Sequence, residues 1–217
     1  MPRISLIHAT PLAVEPVNTA FTEQWPEADV FNLLEDSLAP DLAKSGKLTA
    51  EMIERFERLA TYSKDTGADA ILFTCSAFGP AIEMAANSVA PLTTLKPNEA
   101  MFREAINSFQ RVGMIATFQP SIPSMQAEFE QMARDTGRTV LLESIFAEGA
   151  MELLAQGGID QHNRIIKEKA KQLTHCDAIM LAQFSMAKAR IDIEDIYKCP
   201  VLTSPSSAIT ALKKALI

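Results

Sequence analysis

The sequence has few cysteines, few aromatic residues and no long apolar run. Its three cysteines, Cys75, Cys176 and Cys199, are far apart and odd in number, which argues against a disulfide framework and against a zinc-ligand spacing. No apolar run approaches the roughly 20 residues that a membrane-spanning helix needs, and the N-terminus does not resemble a secretory leader. We therefore expect reduced thiols in a soluble cytoplasmic protein with no membrane partner.

Positive charge is also scarce, with 20 Lys and Arg against 27 Asp and Glu. The resulting net charge of −7 gives no long-range attraction for nucleic acid, which argues against a nucleic-acid partner. The hydrophobic share of 47% among 217 residues is enough to build a substantial core, in one domain or in two small ones.

The chain contains a two-fold repeat. A shift of 108 positions places the segment 69–75 on 177–183, and Cys75 then falls on Gln183. A repeat of this kind predicts two similar halves with a cleft between them, lined by matching strand ends. One half would present a thiol to that cleft and the other an amide. The same shift also places Ile4–Ile7 on Val112–Ile115, Phe21 on Phe129, and Leu33–Glu35 on Leu141–Glu143.

Short apolar runs alternate with helical patterns along the chain, which predicts an α/β fold. We expect two pseudosymmetric three-layer αβα lobes with parallel sheets. The first lobe would contain approximately 1–97 plus 205–217, and the second 98–204. Thr49 is placed to cap one of the helices. The predicted strands are 4–7, 30–34, 71–73, 92–95, 112–116, 139–146, 178–182 and 200–203. The predicted helices are 49–66, from about 80, 98–109, 121–136, 160–173, from about 186, and 206–216.

The loops at the carboxyl ends of these strands are rich in Ser, Thr, Asn and Gln and nearly free of acidic residues. Ligands of open parallel sheets bind at these ends, and neutral donors beside helix N-termini suit a carboxylate. Any one of these side chains could instead serve only as a helix cap. The loop residues Phe78, Phe118 and Phe184 either make the site apolar or belong to the core.

The duplicated half, the segment Thr74-Cys75-Ser76 and the Ala116-Thr117 loop resemble the aspartate/glutamate racemase superfamily. This superfamily also includes hydantoin racemases, maleate isomerases and arylmalonate decarboxylases. The resemblance covers essentially the whole chain and implies two pseudosymmetric α/β lobes with the active site between them. It also implies a small carboxylate substrate, no metal or organic cofactor, and assembly as a homodimer or higher homo-oligomer.

The racemases of this superfamily place one cysteine after the third strand of each lobe, on opposite faces of the substrate. Cys75 lies on the first of these positions, whereas Gln183 lies on the second and cannot exchange a proton with carbon. His8 takes the place of the residue that supports the first cysteine, and a His beside a Cys can hold it as thiolate. A helix start at Cys75 is expected to lower the pKa of its thiol.

Thr117 and Ser121 resemble the loop of the superfamily that binds the substrate carboxylate, and Ser76 resembles the polar residue after the first cysteine. Thr10, Thr74, Asn98 and Ser185 are further candidates for substrate binding. His162 and His175 are predicted to be solvated, on a helix and at its end.

Three functions remain open from the sequence. The first is a cofactor-independent racemase or isomerase that uses Cys75 as acid/base or nucleophile. The second is a decarboxylase or other lyase of the arylmalonate type, because Gln183 removes the second thiol. That subgroup, however, carries its lone cysteine in the second lobe, so this chain is the mirror arrangement. The third is a non-catalytic protein that binds a small acid.

Overall fold

The computed structural model describes all 217 residues, Met1–Ile217. The chain divides into two compact units. The first contains Met1–Pro97 and Ala208–Ile217, and the second contains Asn98–Ser207. No helix is long and apolar enough to span a bilayer.

The first unit is built on a four-stranded parallel sheet. Its strands are β1 (Arg3–His8), β2 (Asp29–Leu34), β3 (Ala70–Phe73) and β4 (Thr93–Leu95), in the order β2-β1-β3-β4. The central strands β1 and β3 are apolar and almost entirely buried because helices cover both faces of the sheet. These helices are α1 (Val14–Gln24), α2 (Leu38–Ser45), α3 (Ala50–Asp65) and α4 (Gly79–Ser88).

The second unit repeats this arrangement with its own parallel sheet, in the order β6-β5-β7-β8. The strands are β5 (Arg111–Ala116), β6 (Leu141–Phe146), β7 (Ala178–Leu181) and β8 (Val201–Thr203). The helices are α5 (Glu99–Ser108), α6 (Ile122–Asp135), α7 (Ala150–Ala155), α8 (Ile159–Ala170), α9 (Arg190–Glu194) and α10 (Ser204–Leu216), the last of which extends into the first unit.

The strand registers confirm the predicted repeat. Ile4 pairs with Ala70 in the first sheet and Val112 pairs with Ala178 in the second, so both strands of the pair are shifted by 108 positions. The amino ends of strands β1 and β5 are also held by equivalent hydrogen bonds. The Asp69 carboxylate accepts the Arg3 backbone N–H at 2.7 Å, and the Asp177 carboxylate accepts the Arg111 backbone N–H at 2.9 Å.

The repeat is not uniform at the edge strands β2 and β6. Arg3 pairs with Asp29, whereas Arg111 pairs with Leu141, so this strand is shifted by 112 positions rather than 108. The predicted superposition of Leu33–Glu35 on Leu141–Glu143 is therefore wrong by four residues. The helix before the strand explains most of the offset, since α6 has 14 residues and α1 has 11.

All eight predicted strands are confirmed to within about two residues at their ends. The predicted cap of α3 is confirmed as well, because the Thr49 hydroxyl oxygen accepts the Met52 N–H at 3.3 Å. The helix expected from about residue 186 is a 3₁₀ helix, Phe184–Ala189, followed by the short α9. Three helices were not predicted: α1 and α2, which carry internal prolines, and α7, which has only six residues.

One equivalent pair in the two cores is built differently. In the first unit Ser5 and Ser63 are fully buried and share a hydrogen bond of 2.7 Å between their hydroxyls. In the second unit Gly113 takes the place of Ser5, and the Leu173 side chain fills the space, so that a Cβ at position 113 would lie 2.7 Å from Leu173 Cδ1. The hydrogen bond between Ser5 and Ser63 in the first core is thus replaced by close packing of Leu173 on Gly113 in the second.

Candidate active site

Cys75 lies two residues beyond the central strand β3, at the carboxyl end of the first sheet. Its backbone is extended, and it begins a 3₁₀ helix, Ser76–Phe78, that leads into α4. The Thr74 N–H donates to the Ile7 carbonyl at 3.1 Å, which continues the β1–β3 ladder to the end of both strands. This pairing places His8, the last residue of β1, beside Thr74, the residue before the cysteine.

The thiol of Cys75 is not activated in this setting. Burial raises the pKa of the Cys75 thiol to about 11, and the Ala77 backbone N–H, which favours the thiolate, offsets only part of that effect. The predicted lowering of the pKa by a helix start is therefore wrong. Cys75 retains some solvent exposure and is held as a neutral thiol at pH 7.

His8 is fully buried, with a hydrogen-bond partner at each ring nitrogen. Nδ1 lies 2.8 Å from the Thr74 hydroxyl, and Nε2 lies 2.9 Å from Asn32 Oδ1. The Asn32 amide nitrogen donates to Asn18 Oδ1 at 3.2 Å, which leaves Oδ1 to accept from His8. His8 therefore carries its proton on Nε2, and Nδ1 accepts the Thr74 hydroxyl.

Burial lowers the pKa of His8, although the hydrogen bond to Asn32 partly opposes this effect. The imidazole is therefore neutral at pH 7. Both of its nitrogens are engaged, and neither hydrogen bond is to Cys75. His8 is hydrogen-bonded to Thr74, the neighbour of Cys75 in the chain. Asn32 was not predicted as part of this network, although it is the one amide within the apolar strand β2.

Gln183 occupies the corresponding place in the second unit, two residues beyond β7 and at the start of the 3₁₀ helix Phe184–Ala189. Its side-chain oxygen accepts the Thr117 backbone N–H at 2.7 Å and the Thr117 hydroxyl at 3.3 Å. Its amide nitrogen donates to the Ser121 hydroxyl at 3.4 Å. The structure thus brings together Gln183, Thr117 and Ser121.

The remaining candidate binding residues have local partners. The Thr10 hydroxyl caps the 3₁₀ helix Pro11–Ala13 by accepting the Leu12 N–H at 3.4 Å. Asn98 is buried, and its side-chain oxygen accepts the Ser204 hydroxyl at 2.7 Å. Ser76 is partly exposed, whereas Ser185 is buried on the 3₁₀ helix after Gln183. Asn98 thus makes hydrogen bonds within the second unit, to Ser204 and Met125.

Two ambiguities of the sequence are settled by burial. Phe78 is fully buried with its ring centroid 4.9 Å from that of Phe56, and Phe184 is buried as well, so both belong to the core. Phe118 is only partly buried. The prediction that His162 is solvated is wrong, because helix α8 turns this residue inward and leaves it 1% exposed.

Comparison with known proteins places this chain in a family. The family model for Asp/Glu/hydantoin racemases matches residues 8–214. The chain belongs to the Asp/Glu/hydantoin racemase family. No curated protein matches the sequence.

Solved racemase structures share the fold of this family member at low sequence identity. Allantoin racemase from Klebsiella pneumoniae has a TM-score of 0.77 at 15% identity, covering 100% of this chain and 88% of its own. Glutamate racemase from Francisella tularensis, in complex with D-glutamate, has a TM-score of 0.73 at 13% identity, covering 99% and 81%. Aspartate racemase from Picrophilus torridus has a TM-score of 0.71 at 14% identity, covering 99% and 94%. These likenesses concern the fold.

Proposed function

We propose that this protein is a cofactor-independent racemase or isomerase of a small carboxylate and that Cys75 exchanges the proton at the reacting carbon. Membership of a racemase family supports the reaction class. The observation that carries the residue assignment is the position of Cys75, two residues beyond the central strand β3 and at the start of a 3₁₀ helix. Carboxyl ends of parallel strands are where such folds bind their ligands.

The raised pKa of the Cys75 thiol favours proton donation over proton abstraction. With a pKa of about 11, the thiolate is present in about one molecule in ten thousand at pH 7. The resting enzyme is therefore ready to donate a proton to a carbanion, whereas proton abstraction uses the rare thiolate, which is a correspondingly stronger base. Thr74 and the neutral His8 keep the strand end in place and add no charge beside the sulfur.

We assign the anion-binding role to Thr117 and Ser121, assisted by Ser76, Thr10, Thr74 and Ser185. The Thr117 backbone N–H already donates to the Gln183 side-chain oxygen, which is the kind of contact that a carboxylate oxygen would make. A substrate carboxylate would either displace this amide oxygen or bind beside it through the hydroxyls of Thr117 and Ser121. Gln183 acts in this scheme by hydrogen bonding and carries no proton to carbon.

A single thiol favours chemistry from one face of the substrate. If no other group serves as a second base, Cys75 exchanges the α-proton of one enantiomer and returns it to the same face. Racemisation then requires a second proton carrier in addition to Cys75.

The neutral thiol also favours a second candidate, a decarboxylase or related lyase. In that reaction the C–C bond breaks to release carbon dioxide, and the electron pair left on carbon takes the thiol proton of Cys75. A protonated donor with a high pKa suits this step without prior deprotonation.

The test is incubation of the untagged protein in deuterated water with a panel of carbon acids. The panel contains both enantiomers of aspartate and glutamate, allantoin, hydantoins, maleate and substituted malonates, followed by NMR and chiral chromatography. Deuterium uptake at an α-carbon supports the racemase or isomerase, and loss of carbon dioxide supports the lyase. Binding of panel members without any turnover would contradict an enzymatic role and indicate a protein that only binds small acids.

A further inference from the structure

Glu143, His175 and Cys176 form a mixed cluster in the second unit, away from the Gln183 group. Glu143 lies on β6 opposite Gly113, and His175 and Cys176 lie three and two residues before β7. Since Gln183 follows β7, the cluster and the Gln183 group lie at opposite ends of this strand. The potential ligand atoms of the three residues all lie within 4.8 Å of one another.

The cluster is held by the surrounding backbone. The Cys176 N–H donates to the Leu173 carbonyl at 3.0 Å, which fixes the turn that carries both His175 and Cys176. His175 Nε2 lies 2.8 Å from Glu143 Oε2, so two of the ligand atoms are already in contact. Cys176 is buried beneath this half-exposed pair. The arrangement offers a buried thiol below and an imidazole and a carboxylate at the surface.

We propose that Glu143, His175 and Cys176 bind a divalent zinc ion. A nitrogen, a sulfur and an oxygen ligand match the preference of Zn²⁺, whereas Mg²⁺ and Ca²⁺ select all-oxygen sites. Zinc bonds of about 2.0–2.3 Å require ligand atoms roughly 3–4 Å apart, so the side chains, whose ligand atoms lie within 4.8 Å of one another, would have to rotate on binding. Binding would exchange the thiol proton of Cys176 for a bond to zinc and leave the fourth position to water.

Three protein ligands leave the proposed site open at its fourth position, unlike a closed four-ligand structural zinc site. Zinc would tie β6 to the turn before β7 and stabilise the folded second unit by mass action. Cysteine spacing could not predict the site, because Glu143 lies on a different strand, 32 residues before His175. The proposal is independent of the chemistry assigned to Cys75.

The test is titration of chelator-treated, untagged full-length protein with Co²⁺ as a spectroscopic probe, followed by competition with Zn²⁺. We expect one equivalent of Co²⁺ to bind with a thiolate-to-cobalt charge-transfer absorption, and Zn²⁺ to remove that absorption and raise the Tm. Cys176→Ser should abolish the absorption. His175→Gln, at a half-exposed position that keeps the fold, should weaken binding at least tenfold.

Cys199→Ser is the matched control, because Cys199 packs against the same core as Cys176 but is not one of the three ligands. This variant should bind Co²⁺ as the wild type does, with circular dichroism confirming that all variants are folded. No charge-transfer absorption in the wild type, or its persistence in Cys176→Ser, would overturn the proposal. Loss of the absorption in Cys199→Ser would overturn the assignment of the ligands.

Discussion

Cys75 and Gln183 occupy the same position in the two repeated units. Each lies two residues beyond a central strand and begins a 3₁₀ helix, with φ of −119° for Cys75 and −116° for Gln183. Their surroundings differ: Cys75 is a neutral thiol beside Thr74, whereas the Gln183 amide is hydrogen-bonded to Thr117 and Ser121. The two units therefore hold a thiol at one of these equivalent positions and a side-chain amide at the other.

Replacing Gln183 with cysteine tests this asymmetry. Gln183→Cys would place a second thiol at the equivalent strand end and free the Thr117 N–H for a substrate carboxylate. On a substrate that the wild type turns over, we expect racemisation to increase roughly tenfold or more, the scale of one added acid–base group. Chiral chromatography measures the change.

Gln183→Ser is the control, since it removes the amide without adding a thiol. Equal racemisation by Gln183→Ser and Gln183→Cys would show that the amide merely obstructs the site and that a second thiol is not what the reaction lacks.

The alkylation rate of Cys75 should follow its raised pKa. Because only the thiolate reacts, labelling by iodoacetamide should be slow at pH 7 and rise about tenfold per pH unit up to pH 9. Peptide mapping by mass spectrometry separates Cys75 from the other two cysteines. A rate that levels off below pH 8 would mean that the thiol is activated in the free protein.

The sequence predicted the repeat and the central strands well, because buried parallel strands are continuous apolar runs such as 70–73 and 112–116. The superposition of the edge strands β2 and β6 was wrong by four residues, because these half-exposed strands carry similar residues at more than one register. The proximity of Thr117 to Gln183 followed from strand ends meeting at one edge. The contact of His8 with Asn32 and the raised pKa of Cys75 could not be predicted from the sequence, since strand register and burial are properties of the folded chain.

Gly113 should be intolerant of a side chain. In Gly113→Ala the new Cβ would lie 2.7 Å from Leu173 Cδ1, in a core where Leu173 is fully buried. We expect a loss of about 1–3 kcal/mol in the free energy of unfolding, measured by urea denaturation. Gly79→Ala is the matched control, because nothing lies within 4 Å of its Cβ position. Equal stability of the two variants would contradict the packing described here.

Stability should fall on mild acidification because of buried histidines. Burial lowers the pKa of His162, and its Nε2 has no hydrogen-bond partner, so the folded protein resists protonation. The unfolded chain takes up that proton below about pH 6.5, which favours unfolding as the pH drops. His8 acts in the same direction.

Urea denaturation between pH 7.5 and pH 5.5 should therefore show a loss of up to about 1.4 kcal/mol per pH unit for each of these two histidines. His162→Gln removes one titrating group and should reduce the slope. A slope unchanged by His162→Gln would mean that His162 is protonated as readily in the folded state as in the unfolded chain.

The measurement that tests the central claim most directly is α-proton exchange in deuterated water by wild type, Cys75→Ala and Cys199→Ser on the best substrate of the panel. Cys199 is also partly exposed, and burial likewise raises the pKa of its thiol to about 11, so it is a control thiol of similar pKa at another position. We predict that Cys75→Ala loses exchange by at least a hundredfold while Cys199→Ser retains it. Full exchange in Cys75→Ala would show that another group moves the proton and that the assignment to Cys75 is wrong.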